Sequence, residues 1–217
     1  MSNPHREGSD LFRFRGKASA RAETALASVA FAGLVVLWQL IAAFELMPAR
    51  FLPGPFAVLE ALGRMLWQND FLADIGISIA RVWGAFGLSV VMAVPLGIWM
   101  SSYRIVGALT EPVIDFIRYL PVPALVPLLL IWFGIGEESK IAVLWMGTFF
   151  QLVLLIADDA KRVPWEYVEI GYTLGAKPRQ IIRDIVVPSM APTMIDNLRN
   201  TLGWCWTYLI VAEIVAA

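Results

Sequence analysis

The chain has 217 residues, of which 59% are hydrophobic and 16% are charged, and its formal net charge is −1. Soluble domains carry about 25% charged residues, so this composition excludes a water-soluble globule, and a chain without net positive charge is not expected to bind nucleic acid. The single cysteine, Cys205, excludes an internal disulfide framework and a cysteine-based zinc cluster.

The apolar residues form blocks long enough to cross a hydrocarbon layer roughly 30 Å thick. We predict five membrane spans, over residues 25–44, 77–100, 113–133, 141–157 and 194–217. A polar, basic tail at 1–24 precedes the first block, and no small-residue cleavage site ends that block, so it is interpreted as a retained anchor. The predicted fold is therefore an all-α, polytopic membrane protein with a transmembrane domain at 25–217.

Basic residues predict the orientation of these spans, because Lys and Arg are enriched in cytoplasmic segments. The tail and the stretch 158–189 each hold five of them: Arg6, Arg13, Arg15, Lys17 and Arg21, then Lys161, Arg162, Lys177, Arg179 and Arg183. Four predicted spans separate the two stretches, so both can lie on one side of the lipid bilayer. We predict a multi-pass protein of the bacterial inner membrane with a cytoplasmic N-terminus.

Two proline-rich stretches interrupt the apolar pattern. Residues 51–55, Phe-Leu-Pro-Gly-Pro, predict a rigid entry to an amphipathic helix that either lies in the membrane interface or packs on the spans. The third span contains Pro121, Pro123 and Pro127, and lipid offers no replacement for the lost backbone donors. A kinked helix that lines a transport path explains these prolines, and so does a kink that neighbouring helices stabilise without any transport role.

The stretch 163–188 predicts a helix, a stop and a second helix on the cytoplasmic side. Pro164 suits the first helical position, and Gly175 suits a left-handed helix end. Pro178 is expected to open the second helix, and Pro188 to close it before the fifth span. A hairpin of this length and polarity indicates a surface for a partner, whereas a solvated loop that joins two spans is the plain alternative.

This stretch resembles the EAA loop of binding-protein-dependent ABC importer permeases. The family pattern is Glu-Ala-Ala, three variable residues, Gly, an apolar-rich stretch, and an apolar residue before Pro. The matching positions are Glu169 at the glutamate, Ile170 and Gly171 at the alanines, Gly175 at the glycine, Val187-Pro188 at the end, and the usual surroundings Thr-Leu-Gly-Ala at 173–176. The two alanine positions depart from the pattern but keep small or apolar residues.

Two further stretches are similar to the nitrate, sulfonate and taurine type of these permeases. They are Phe-Leu-Pro-Gly-Pro-Phe-Ala-Val from residue 51 and the long stretch 120–141 around the prolines of the third span. The resemblance covers residues 26–217.

The resemblance implies a type I importer permease, a helical bundle in which two permease subunits form the pore. Two cytoplasmic ABC ATPase subunits would drive it, and a periplasmic or lipid-anchored substrate-binding protein would deliver the solute. A homodimer is the simpler expectation for the pore. The family normally carries one more span, so we expect the chain to be a fragment or to lack its last helix.

The resemblance also assigns residues to ATPase coupling. We call 163–188 the coupling segment, in which 166–176 would be the coupling helix, Glu169 its polar contact, and the two glycines the points of close approach and turning. The assigned residues are Glu169, Ile170, Gly171, Thr173, Leu174, Gly175, Ala176 and Pro188. The implied activity is ATP-driven import of a small solute by alternating access, with an anion such as nitrate, a sulfonate or taurine, or bicarbonate as the expected cargo.

No cofactor is expected in the chain itself. It contains no Gly-x-x-x-x-Gly-Lys-Ser/Thr motif, so ATP and Mg²⁺ would bind the partner ATPase. Its one histidine, His5, lies in the tail, and no Gly-x-Ser-x-Gly or His-Glu-x-x-His occurs, so an enzyme is not predicted. A membrane-embedded hydrolase and a passive channel are the alternative functions.

The candidate residues of the substrate path are Arg81, Pro121, Pro123 and Arg199. Charge at membrane depth is costly and often functional, and an anionic solute would favour Arg81 or Arg199 facing a cavity. A local ion pair between Arg199 and Asp196, three residues apart, is the plain alternative.

Overall fold

The computed structural model describes residues 19–68 and 71–215. Its elements are α1 (Ala20–Ala43), α2 (Pro55–Gln68), α3 (Phe71–Ser102), α4 (Arg104–Arg118), α5 (Val122–Phe133), α6 (Glu137–Lys161), α7 (Trp165–Thr173), α8 (Pro178–Ile181), a π-helical turn (Ile182–Val186) and α9 (Val187–Val215). No strand occurs in the two described ranges, so the all-α prediction is confirmed. Most of the predicted tail, 1–18, and the last two residues of the predicted fifth span lie outside the described residues.

The chain divides into two compact units, residues 1–72 and 73–217. In the first unit the Ser19 hydroxyl caps α1 by accepting the Ala22 N–H at 3.3 Å. None of the α1 residues is buried, and α1 contains the predicted first span except its last residue, Phe44. The Trp38 Nε1–H donates to the Pro53 carbonyl at 2.9 Å, which ties the proline-rich loop to α1.

Helix α6 is the centre of the second unit, where it packs along α9 and against α4 and α5. Two apolar clusters fill this unit, one around Leu152 and Met190 and the other around Leu144 and Cys205. The Cys205 side chain is fully buried, as expected of a cysteine that packs as a small hydrophobe.

The helices that could cross a membrane differ in part from the five predicted spans. Among the described residues, α1, α3 and α6 are long and apolar enough, and they contain nearly all of the predicted first, second and fourth spans. Helix α9 contains residues 194–215 of the predicted fifth span but does not reach the same apolarity, because it carries Asp196, Arg199 and Glu213.

The predicted third span, 113–133, is two helices and not one kinked helix. Helices α4 and α5 meet at an angle of 100°, the geometry of a broken span or of a re-entrant loop. The bend lies at Tyr119–Pro121, where Pro121 occupies the N-cap of α5. Pro123 lies in the first turn of α5 and Pro127 stays inside the helix, so the bend lies next to two of the three prolines and not at Pro127.

Candidate functional site

The first helix of the coupling segment, α7, ends as the sequence predicts, but it begins at Trp165, so Pro164 is its N-cap and not its first helical residue. Gly175 adopts φ +79°, which is the left-handed conformation that glycine tolerates best. The Gly175 N–H donates to the Tyr172 carbonyl at 2.9 Å, and the Ala176 N–H donates to the Gly171 carbonyl at 3.0 Å. These two bonds form a Schellman motif, which satisfies carbonyl groups at the end of α7.

The second helix of the segment begins as predicted but does not end at Pro188. Pro178 opens α8, and the helical backbone then runs through the π-helical turn into α9. In that turn the Val187 N–H reaches the Ile182 carbonyl, five residues back. A proline ring clashes with the preceding turn of an α-helix, and the wider turn next to Pro188 gives the ring room. The expectation that Pro188 closes this helix is therefore wrong.

The predicted coupling residues divide into an inward and an outward set. Gly171 is buried, and a Cβ there would lie 2.6 Å from Ile185 Cδ1 and 3.3 Å from Ile181 Cγ1. Glycine at 171 therefore lets α7 pack closely on Ile181 and Ile185, and a larger residue would have to displace the end of the Ile185 side chain.

The outward set forms an exposed surface on and just after α7. It contains Glu169, Ile170 (56% exposed), Thr173 and Leu174 (81% exposed). The Thr173 hydroxyl donates to the Ile170 carbonyl at 2.8 Å, so this polar group is satisfied within the helix. Apolar side chains this exposed, in a segment too polar to lie in lipid, mark a surface that a protein partner can cover.

A cavity of about 470 Å³ lies beside the junction of α4 and α5. We call it the break cavity, and its lining residues are Ile117, Arg118, Tyr119, Leu120, Pro121, Val122, Pro123, Leu125, Met146, Gly147, Phe150, Gln151, Trp204 and Tyr208. They come from α4, α5, the middle of α6 and α9. Irregular backbone at membrane depth is tolerated where it lines a wet cavity or is buried in protein.

Arg118 is held in place at the wall of the break cavity. Its Nε–H donates to Asp115 Oδ1 at 2.7 Å and its Nη2–H donates to the Tyr119 hydroxyl at 3.0 Å. The guanidinium also lies 4.8 Å from the centre of the Tyr119 ring, a cation–π distance. These contacts fix the direction of the guanidinium without surrounding it.

The structure separates the four predicted path residues. Pro121 and Pro123 line the break cavity, whereas Arg81 and Arg199 do not. Arg199 is exposed on α9, and within the described residues it forms no ion pair with Asp196, so the local pair is not observed.

Arg81 belongs to a separate charge cluster that joins three helices. Its guanidinium donates to Glu137 at 2.6 Å and to Glu213 at 2.9 Å, and the Ser78 hydroxyl donates to Glu213 at 2.6 Å. Only 14% of the Arg81 side chain is exposed. We call these residues, Ser78, Arg81, Glu137 and Glu213, the Arg81 cluster. Two carboxylates already accept hydrogen bonds from Arg81, so this geometry indicates that Arg81 connects the three helices. Contact between Arg81 and a solute stays a prediction.

Sequence reasoning missed the residues that give the break cavity its polarity. Arg118, Gln151 and Tyr208 were not among the path candidates, although all three line it. Two local signals could have found part of this set: Arg118 stands three residues before Pro121, and Gln151 is the one amide in an otherwise apolar stretch of α6.

Comparisons with known proteins agree on one family. The sequence pattern of the family described as "Binding-protein-dependent transport system inner membrane component" matches residues 89–217. A putative ABC transporter permease of Methanocaldococcus jannaschii is 36% identical over 83% of this chain and 69% of its own length. The taurine transport permease of Escherichia coli is 31% identical, over 85% of this chain and 69% of its own. The bicarbonate transport permease of Synechococcus elongatus is 25% identical, over 84% and 69%.

Solved structures include one with the same fold. It is the MetNI methionine ABC transporter in inward-facing conformations, with a TM-score of 0.59 and 20% sequence identity over 70% of this chain and 76% of the matched chain. At this identity the likeness shows the fold alone.

Proposed function

The chain belongs to the family of inner membrane components of binding-protein-dependent transport systems, and on that premise we propose that it moves a small solute by alternating access, driven by a separate ATPase. It is a permease component, and its family is one of transport proteins and not of enzymes. The solute we propose is a small anion, in keeping with relatives named for taurine, aliphatic sulfonates and bicarbonate.

The observation that carries the proposal is the construction of the coupling segment. Helix α7 stands between the long helices α6 and α9, it is seated on the next helix through Gly171, and it turns Ile170 and Leu174 outward. An exposed apolar surface on a firmly seated helix suits a groove on a partner, as in helix-in-groove recognition. We propose that this partner is the cytoplasmic ATPase, which binds ATP and Mg²⁺.

A continuous helical path connects this surface with the break cavity. Ile181, beneath α7, and Tyr208, at the cavity, lie on the same uninterrupted run of α8, the π-helical turn and α9. At 1.5 Å per residue the two are about 40 Å apart. A displacement of α7 can therefore reach the cavity wall through one continuous helical segment, which suits a two-state change of packing.

The remaining partners follow from the same proposal. A substrate-binding protein would deliver the solute at the outer face, and a second copy of the chain would complete the pore as a homodimer. The N-terminus and the coupling segment would both face the cytoplasm, in keeping with their basic residues.

ATP dependence separates this function from a passive channel. The chain is reconstituted in proteoliposomes with its ATPase and binding protein, and uptake of labelled taurine, ethanesulfonate and bicarbonate is measured with ATP or with a non-hydrolysable analogue on the ATPase side. We expect uptake of at least one solute against its gradient, with ATP only. Equal, downhill uptake with the analogue would favour the channel.

A further inference from the structure

The wall of the break cavity carries one formal charge among the lining residues that the structure describes. That charge is Arg118, and the other polar groups, from Tyr119, Gln151, Trp204 and Tyr208, are neutral. No carboxylate belongs to the lining set, because Asp115 contacts Arg118 from outside it. Arg118 is ion-paired with Asp115 through Nε, and its remaining N–H groups can donate to an anion in the cavity.

The guanidinium of Arg118 keeps donors available. Asp115 engages Nε and Tyr119 engages Nη2, whereas Nη1 has no hydrogen-bond partner within the described residues. Of the Arg118 side chain, 28% is exposed. A planar guanidinium with a fixed direction and free terminal N–H groups suits an oxyanion, which accepts such bonds in pairs.

Other residues of the cavity lining are apolar. Met146 and Phe150 of α6 and Trp204 of α9 supply apolar surface. Tyr208 is held flat against Gly147, where a Cβ would lie 2.6 Å from the Tyr208 ring. This surface suits the short hydrocarbon part of a small organic molecule.

We propose that the break cavity is a subsite for the transported solute, which it holds as a small organic oxyanion with its head group on Arg118 and its apolar body against Phe150 and Trp204. The inference rests on the proposed transport function. It replaces Arg81 and Arg199 with Arg118 as the residue that selects for negative charge. The volume of about 470 Å³ lies within the range of small-molecule sites.

Charge-selective labelling tests this subsite without ATP. Met146 is replaced by cysteine in the full chain within the assembled transporter in lipid nanodiscs. Labelling rates are compared for two thiol reagents of similar size, an anionic sulfonatoethyl methanethiosulfonate and a cationic trimethylammonium analogue. The parent chain, whose Cys205 is buried, gives the background.

We expect the anionic reagent to react about tenfold faster at M146C than the cationic one, relative to their rates with a free thiol, because Arg118 attracts it. R118Q should remove this preference, R118K should retain it, and R199Q should leave it unchanged. Ethanesulfonate should slow labelling, and choline should not.

Three results would overturn the subsite: no labelling by either reagent, equal relative rates in M146C itself, or the same loss of preference in R199Q as in R118Q. If R118Q fails to fold, the subsite is still tested by the anion preference of M146C and by whether R118K retains that preference. ATP-driven uptake reports on the proposed function, and labelling reports on the cavity, so either can fail alone.

Discussion

The coupling segment and the break cavity are built in opposite ways. The segment is contiguous in sequence, and its turn and helix starts follow from Gly175 and Pro178 acting on their immediate neighbours. The cavity draws residues from α4, α5, α6 and α9, and it lies beside the 100° bend between α4 and α5. The surface for a partner is thus determined by residues that are close in sequence, whereas the cavity for a solute depends on tertiary structure.

The two regions also differ in chemistry. The segment exposes apolar side chains such as Leu174 outside the apolar blocks, and the cavity encloses a charge, Arg118, between them. The first is suited to a protein and the second to a small anion. Substitutions in each region should therefore affect different measurements.

The largest effect is expected from I170E. A carboxylate forced into an apolar contact costs several kcal/mol, so ATPase retention by the purified permease and ATP-driven uptake should both fall by about a hundredfold. Charge-selective labelling at M146C should not change.

L59E is the matched control for retention, because Leu59 is an equally exposed apolar residue of α2 (63%) outside the segment. ATPase retention by I170E equal to that by L59E would show that the exposed face of α7 is not the binding surface.

G147A should lower uptake by about tenfold while the ATPase stays bound. The new methyl group would meet the Tyr208 ring at 2.6 Å and push it into the break cavity, and overpacking of this kind costs about 1–3 kcal/mol. G203A is the control, because a Cβ at Gly203 meets nothing within 4 Å. An equal fall in uptake in G147A and G203A would show that the effect of G147A does not arise from the break cavity.

G171A should lower uptake by about threefold, because its methyl group has to displace Ile185 Cδ1, a flexible side-chain end. Removing that atom with I185V should restore most of the loss in the double variant. A double-mutant cycle on uptake rates measures the coupling between the two sites. If the effects of G171A and I185V on uptake are strictly additive, the contact between Gly171 and Ile185 does not contribute to coupling.

The smallest effect on transport is expected in the Arg81 cluster. R81Q leaves Glu137 and Glu213 without their shared cation, and thermal unfolding should show a loss of about 2 kcal/mol, below the cost for a fully buried pair because both carboxylates are partly exposed. Uptake should stay within about twofold. R199Q is the control and should leave the free energy of unfolding unchanged. A large uptake defect in R81Q with normal stability would instead place Arg81 on the substrate path.

Local features were therefore predictable, and features set by packing were not. Gly175 and Pro178 have strong backbone preferences that few environments override, so both were assigned correctly. Pro188 was assigned wrongly, because its effect on the helix depends on a π-helical turn formed by the residues before it. No residue type signals such a turn by itself.

The cavity shows the same limit. The prolines at 121 and 123 predict irregular backbone, but neither the angle of the bend nor the partners of Arg118 follow from the residue order. Arg81 and Arg199 were both candidates for the substrate path, with a local pair to Asp196 as the alternative for Arg199. Only the fold shows that one is engaged by two carboxylates and the other is exposed on α9.

The central claim is that a separate ATPase binds the coupling segment. A photo-crosslinker in place of Leu174 tests this claim most directly. This side chain is 81% exposed, so the probe should reach whatever covers the segment. We predict one major adduct in intact cells, to a protein that binds and hydrolyses ATP, and loss of that adduct in I170E. Adducts to lipid or to a protein on the outer face would contradict this claim. Labelling of L174C by a membrane-impermeant thiol reagent added outside the cell would contradict it as well.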